Sequence, residues 1–243
     1  MAHTVLTDCK VYAGGYDFSG DTMGIALNYG VDPVEDTAFG DDTHVFLGGL
    51  ESFDVALEGA VNLGNTSHEG LTFAGLGAAG LPVTIAPGTG AAGETAYILN
   101  AMRASYAPGA QIGELKRYSF SAMASGQRNV RGTVIHNATV TTTGTGTGYQ
   151  VGAVAAGKSL YAVLHVITVS GSSPTLDVVV ESDDNGSFTS ATTRVTFAQL
   201  GVVGSEYATP VAGAITDDYW RVSYTIGGTG TPTFAFIVTI GIR

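Results

Sequence analysis

Apolar and polar side chains alternate with a period of two along most of this chain. In LESFDVALEGAVNL, Phe53, Val55, Leu57, Val61 and Leu63 share one parity, and Asp54, Glu58 and Asn62 share the other. Successive side chains of a strand point to opposite faces, so this run predicts a long strand with one face in a core and an acidic face open to solvent. Met23, Ile25, Leu27 and Tyr29 alternate in the same way with Thr22, Gly24, Ala26 and Asn28. Tyr118, Phe120 and Ala122 alternate with Arg117, Ser119 and Ser121. Further strands are expected near 94–106 and 129–137, and LPVTIAPG reads as a short strand stopped by Pro87-Gly88.

One segment follows a different period. NTSHEGLTFAGLG offers Thr66 or Ser67 as an N-cap, Glu69 in the first turn, and Leu71, Phe73, Ala74 and Leu76 as an apolar stripe. It predicts one helix, ended by glycines. The run TVTTTGTGTGYQ has no apolar anchor and reads as a linker, with the boundary placed at 141–150. Strands then restart at 159–169, 175–182, 191–199, 218–226 and 233–241, separated by SGSSP, DDNGS and GGTGTP. Asn185-Gly186 is a hairpin signal. The expected fold is therefore mainly β: packed antiparallel sheets with one flanking helix over 1–140, a linker, and an antiparallel β-sandwich over 151–243.

Charge refines this picture. The 243 residues hold 21 Asp and Glu against 10 Lys and Arg, and charged residues make up only 13%. A surface this poor in charge, covered by Thr, Ser, Gly and Ala, suits a chain buried in an assembly. Residues 1–100 hold 13 acidic side chains and a single basic one, Lys10, so this part repels a nucleic-acid backbone. Arg103, Lys116, Arg117, Arg128 and Arg131 against Glu114 make 101–150 basic, a complement to the first block within or between subunits. One cysteine, Cys9, excludes an intrachain disulfide. MAHTVLTDCK lacks the features of a signal peptide, and no apolar run is long enough for a membrane helix, so no membrane insertion is expected.

Short motifs lose their meaning in context. GAVAAGKS, Gly152 to Ser159, fits the phosphate-loop pattern, but that loop works by opening a helix whose amides hold phosphate. Here a Thr/Gly run precedes it and the strand-like LYAVLHVITV follows. GLGAAG fits the dinucleotide pattern but follows a helix and precedes a strand, the reverse of the required order. FGDDTH sets two carboxylates near His44, which reads as a solvated loop, and SDDNGS lacks the spaced acids of a calcium loop. No histidine pair has metal spacing and no G-x-S-x-G occurs, so no metal, cofactor or catalytic residue is assigned, and the chain is not read as an enzyme.

The order of elements in the first 140 residues carries a resemblance. A strand, MGIALNY, leads into the acidic connection VDPVEDTAFGDDTHVFLGGLES, then the long alternating strand, then TSHEGLTFAGLGAAGLPVTIAP. With the segments DTAFGDDT, GGLESF and GLGAAGLPV, this resembles the major tail tube proteins of long-tailed, siphovirus-like bacteriophages. The resemblance implies a virion protein, made in the host cytoplasm, that assembles into rings, usually hexameric. These stack into a tube through which double-stranded DNA passes without specific binding. It implies tape measure, tail terminator and tip proteins as partners. A connection of about 20 residues without clear structure is unusual unless functional. Thr37, Phe39, Gly40, Asp41, Asp42, His44, Phe46 and Leu47 are therefore expected to form a ring-stacking loop, and Asp54, Glu58 and Asn62 to face the lumen. The second domain is expected on the tube exterior. The competing reading is a virion decoration or glycan-binding adhesion protein, with Tyr207, Tyr219 and Trp220 as candidate sugar platforms.

Overall fold

The computed structural model describes residues 6–61 and 70–243. It is built almost wholly of antiparallel strands: β1 (Lys10–Ala13), β2 (Tyr16–Asp17), β3 (Thr22–Glu35), β4 (Phe46–Ala60), β5 (Leu81–Ala86), β6 (Thr95–Gly109), β7 (Arg117–Ala124) and β8 (Val130–Val140). These are followed by β9 (Gly144–Thr145), β10 (Tyr149–Gln150), β11 (Ser159–Asp183), β12 (Thr192–Thr196), β13 (Gly204–Tyr207), β14 (Val211–Ala212) and β15 (Tyr219–Ile242). The mainly β expectation holds. Among the described residues no helix is long and apolar enough to cross a membrane.

Two compact units emerge, one of residues 1–20, 80–100 and 129–243, the other of 21–79 and 101–128. This grouping follows strand pairing rather than chain order, and it differs from the 1–140 and 151–243 division read from the sequence. β8 pairs with β15 from Val140↔Phe234 to Gly132↔Gly241, which ties residues before the expected boundary to the end of the chain.

The larger unit is organised by β11 and β15. They pair from Leu160↔Ile242 to Asp183↔Tyr219. The sequence predicts two strands on each side, split by SGSSP and GGTGTP. The structure instead sets these two segments opposite each other, Ser172↔Thr229, and the ladder runs through with three register shifts. Gly171 and Gly228 hold φ of +112° and +115°, the left-handed region that glycine enters without steric cost. A glycine-rich segment facing another at the same level becomes a bulge instead of a chain reversal.

One face of this ribbon lines a single core. Leu160, Ala162, Leu164 and Val166 precede the bend, Leu176, Val178 and Val180 follow it, and all join one cluster with Trp220, Val222, Phe234, Phe236, Val238 and Ile240. Each fully buried aliphatic or Phe side chain contributes roughly 1.5–3 kcal/mol relative to exposure. The other parity is buried too. Tyr161 and Val163 pack with Ile98 and Val130, and Ile237 packs with Tyr12, Ala86, Ala96 and Val134. Burial on both faces explains why LYAVLHVITV is a continuous apolar run.

Residues 141–150 are not a free linker. β9 and β10 pair with β15 at Thr145↔Ser223 and Tyr149↔Trp220. Between them the Gly146 amide donates to the Val222 carbonyl at 2.8 Å. A Cβ at Gly148 would collide with the Phe188 ring. Backbone hydrogen bonds hold the run together with Val140 and Tyr149, which pack against the main core at its two ends. GAVAAGKS likewise has a structural role. Val154 bridges to Ile215, the Lys158 amide donates to the Ala155 carbonyl, and β11 begins at Ser159 with no helix. The Gly152 carbonyl accepts the Trp220 indole N–H at 2.8 Å. Trp220 is fully buried, which removes it as a sugar platform.

The smaller unit is a four-stranded antiparallel sheet. β3 pairs with β4, β4 with β7, and β7 with the later residues of β6. Phe53, Val55, Leu57, Tyr118, Phe120 and Ala122 are buried on one face, as the alternation predicts. The helix expected over 66–76 is only partly described: 66–69 lie outside the described residues, 70–72 are helical, and 73–77 form turns. Its apolar stripe is not buried, since Phe73, Ala74 and Leu76 are exposed. The side facing the protein is Thr72, which is buried. Arg103 anchors the turns by donating from Nη1 to the Gly75 carbonyl at 3.3 Å.

Two histidines of the larger unit are buried. His165 meets the Thr84 hydroxyl at 3.0 Å through Nε2, and His136 stacks on Phe236 with ring centroids 4.2 Å apart. Desolvation lowers their pKa values to about 3 and about 4. An unfolded histidine titrates near pH 6.5. Protons therefore bind the unfolded chain first, so this contribution to stability is complete above about pH 6.5 and falls as pH drops towards the folded values, by about 1.4 kcal/mol per unit for each group. The melting temperature is expected to fall measurably between pH 6.5 and 5. Replacing His165 by Gln should flatten that slope. An unchanged slope in thermal melts would rule out the buried ring as its source.

Candidate assembly surface

β3 and β4 extend beyond their sheet as a two-stranded arm. Val31↔Glu51, Pro33↔Gly48 and Glu35↔Phe46 remain paired, while nearly every residue from 31 to 52 is exposed. Among the described residues β3 pairs only with β4. The connection expected to lack structure is therefore largely strand, and only 36–45 form a loop. Pro33 has no N–H to give a second neighbour and is tolerated here because the strand is an edge. A Cβ at Gly49 would lie 2.8 Å from the Asp32 carbonyl oxygen, so the Gly48-Gly49 pair permits the close approach of β4 to β3 at the register shift.

The tip is stiffened by its own polar groups. The Ala38 amide donates to Asp41 Oδ2 at 2.8 Å, the Asp41 amide to the Ala38 carbonyl at 3.2 Å, and the Val45 amide to Thr37 Oγ1 at 3.1 Å. Thr37 Oγ1 donates to Glu35 Oε1, and His44 Nδ1 lies 2.6 Å from the same oxygen. The His44 and Thr37 hydrogen bonds hold the Glu35 carboxyl below the usual range. Gly40 takes φ +107°, closed to most side chains. His44 thus pairs with Glu35 rather than with the Asp41-Asp42 pair beside it in sequence. Its ring stacks on Phe46, 6.0 Å between centroids.

This ordered tip presents apolar groups to water. Phe39 is fully exposed, Leu50 is 81% exposed, and Val31, Val34, Val45, Phe46 and Leu47 are all well exposed. Large apolar side chains gathered and exposed on one element mark a candidate contact surface. The arm gathers Thr37, Phe39, Gly40, Asp41, Asp42, His44, Phe46 and Leu47 at one end of the unit. It adds Val31, Val34 and Leu50, which the sequence reading did not assign to the contact. Alternation with polar neighbours is weak there, and among the described residues the arm segments of β3 and β4 pair only with each other.

Asp54 and Glu58 lie on the sheet face opposite Phe53, Val55 and Leu57. Asn28 Nδ2 donates to Asp54 Oδ2 at 2.8 Å. The register sets Ala26, Ala56, Ser119 and Ser121 around them, and Ser105 and Ser121 hydroxyls meet at 2.7 Å. The face carries small and acidic side chains, with Met123 opposite Asp54 and Arg117 at its end. Asn62 lies outside the described residues. A second exposed apolar turn, unnoticed in the sequence, joins β6 to β7: Ile112 is fully exposed and Leu115 more than half exposed.

No group of three or more His, Cys, Asp or Glu among the described residues is placed to hold a metal. A cavity of about 260 Å³ in the larger unit is lined by His136, Asn137, Thr145, Thr147 and Tyr149. Asn137 already donates to the Gly90 carbonyl there, at 2.8 Å.

No family model and no curated protein matches the chain. Solved structures that it resembles are components of tails, virions and injection systems. It is similar to the SPP1 Dit protein, a hub of the adsorption apparatus in phages infecting Gram-positive hosts, at 13% identity over 97% of this chain and 99% of that one (TM-score 0.40). It is similar to a chain of the sheath–tube complex of an extracellular contractile injection system, at 15% identity over 54% of this chain and 93% of that one (TM-score 0.44). A chain of the virion of a native gene transfer agent is similar at 12% identity over 51% of this chain and 96% of that one (TM-score 0.41).

The arm's amides depend on a single ladder in water. Hydrogen exchange at 31–36 and 45–51 is expected to be at least about tenfold faster than at 53–59, where a second strand and a core cover the backbone. Equal protection in the isolated chain would mean that the arm is already covered.

Proposed function

We propose that this chain is a non-enzymatic, self-assembling structural protein of a phage-type tail, forming stacked rings that make a tube. One observation carries this reading: an ordered two-stranded arm with an apolar tip that none of the described residues covers. Its polar hydrogen bonds hold it in one shape, so it is a preformed contact. β3, the edge strand that forms half of it, supports the same reading, because an unpaired edge calls for a neighbour and ring closure supplies one. In this reading residues 37–47 stack one ring on the next, and the Asp54 and Glu58 face lines the lumen. Residues 151–243 decorate the outside, and tape measure, tail terminator and tip proteins are the further partners. A negative wall lets DNA pass without sticking.

Purified protein is expected to form rings or tubes under negative-stain microscopy; compact monomers or trimers alone would favour a decoration or adhesion protein instead. The triple variant Phe39→Ser, Phe46→Ser and Leu47→Ser should keep its melting temperature within a few degrees, since surface changes away from core features usually cost under about 0.5 kcal/mol. It should form no tubes, and normal tubes from it would refute the stacking role.

Asp54→Lys with Glu58→Lys tests the lumen separately. Tubes of this variant should retain double-stranded DNA at low salt and release it as salt rises, since phosphate contacts release counterions. If such tubes bind no more DNA than the parent, the two carboxylates do not line the channel.

A further inference from the structure

The smaller unit carries two uncovered apolar turns, and the register places them at opposite ends of its sheet. The arm tip lies beyond Glu35↔Phe46. The β6–β7 turn, residues 110–116, lies beyond Gly109↔Arg117, and Arg117 is level with Ala60, the far end of β4. At about 3.3 Å per residue, the length of β4 separates the two ends by roughly 45–50 Å. The turn is itself ordered: the Glu114 amide donates to the Gln111 carbonyl at 3.1 Å, Gly113 takes φ +90°, and the Lys116 carbonyl accepts the Val61 amide at 2.9 Å. It offers Ile112 and Leu115 to solvent, flanked by Lys116 and Arg117.

The two ends are complementary in charge. From 31 to 51 the arm holds Asp32, Glu35, Asp36, Asp41, Asp42 and Glu51 and no Lys or Arg. The turn and its flank hold Lys116 and Arg117 against Glu114. Tip against tip would set acid against acid. Tip against turn sets acid against base and Phe39 against Ile112. Such a contact is heterologous, joining two different patches of one surface, and it repeats without end unless a rotation closes it. Charge complementarity fixes the partner and the polarity of the repeat.

We infer that the occupant of the arm tip is a second copy of this chain, docked through its 110–117 turn with Lys116 and Arg117 facing the arm's carboxylates. The inference rests on the ring-stacking reading above and adds the receiving surface. It makes each subunit a donor at one end and an acceptor at the other, and gives the stack a direction.

Two single-cysteine variants in a Cys9→Ser background test it, one with Asp42→Cys and the other with Lys116→Cys. After mild oxidation of assembled full-length protein, a covalent dimer is expected from the mixture and not from either variant alone. In parallel, Lys116→Glu with Arg117→Glu should lower pelletable polymer by about tenfold, a loss of about 1.4 kcal/mol at the contact. Adding Asp36→Lys and Asp42→Lys in the same chain should restore it. Polymers that form normally with Lys116→Glu and Arg117→Glu, or a mixture that polymerises without yielding the dimer, would overturn the assignment of the turn while leaving arm-mediated stacking intact. Failure of the parent chain to polymerise at all would overturn both.

Discussion

Every β-strand presents an unpaired row of N–H and C=O groups along each edge, and those groups must meet another strand, a loop or water. This requirement orders the whole molecule. In the larger unit it is met most fully at the central strand. β15 is flanked along its length by β11 on one side and by β8, β9 and β10 on the other, and the Thr/Gly run of 141–150 is drawn in to complete that second side. In the smaller unit it is met only in part, because β3 and the arm it builds stop at solvent. The central strand β15 is paired on both sides, whereas among the described residues β3 pairs only with β4.

The side-chain chemistry follows the same division. Where strands are covered on both faces, as in Tyr161 to Val166, apolar residues run without interruption, and the polar member, His165, is held by Thr84 and kept uncharged by its surroundings. Where strands are open, acids accumulate. Carboxylates at 32, 35, 36, 41 and 42 keep an exposed apolar tip soluble and discourage identical tips from sticking together. The arm thus combines an exposed apolar tip with a surround of carboxylates.

Faces were legible in the sequence. The parity of Phe53, Val55 and Leu57 against Asp54 and Glu58, and of Tyr118 and Phe120 against Ser119 and Ser121, appears in the structure as read, because burial on one side of a pleat leaves a period-two signal. That GAVAAGKS leads into a strand rather than a helix was legible too, since β-branched and aromatic residues after Ser159 announce one. Partners were not legible. SGSSP and GGTGTP each look like a reversal, and only their placement opposite each other makes them a shared bend. Residues 141–150 are held by backbone pairing with β15 and by Tyr149, and that partner strand lies about seventy residues further along the chain. The arm was missed as strand for a related reason: its two halves pair with each other over solvent, so no core imposes an alternating pattern.

The bend shared by β11 and β15 has a consequence for how this chain can change over time. Leu160, Ala162, Leu164 and Val166 before it, and Leu176, Val178 and Val180 after it, all occupy even positions and feed one core. Gaining or losing a single residue between Val166 and Leu176 would turn everything on one side of the bend inside out unless a new bulge absorbed it. Lengths in this segment can drift by twos, or by one in company with a compensating irregularity. The surface turns are under no such arithmetic, so variation among related chains should accumulate in steps of any size there and in even steps here.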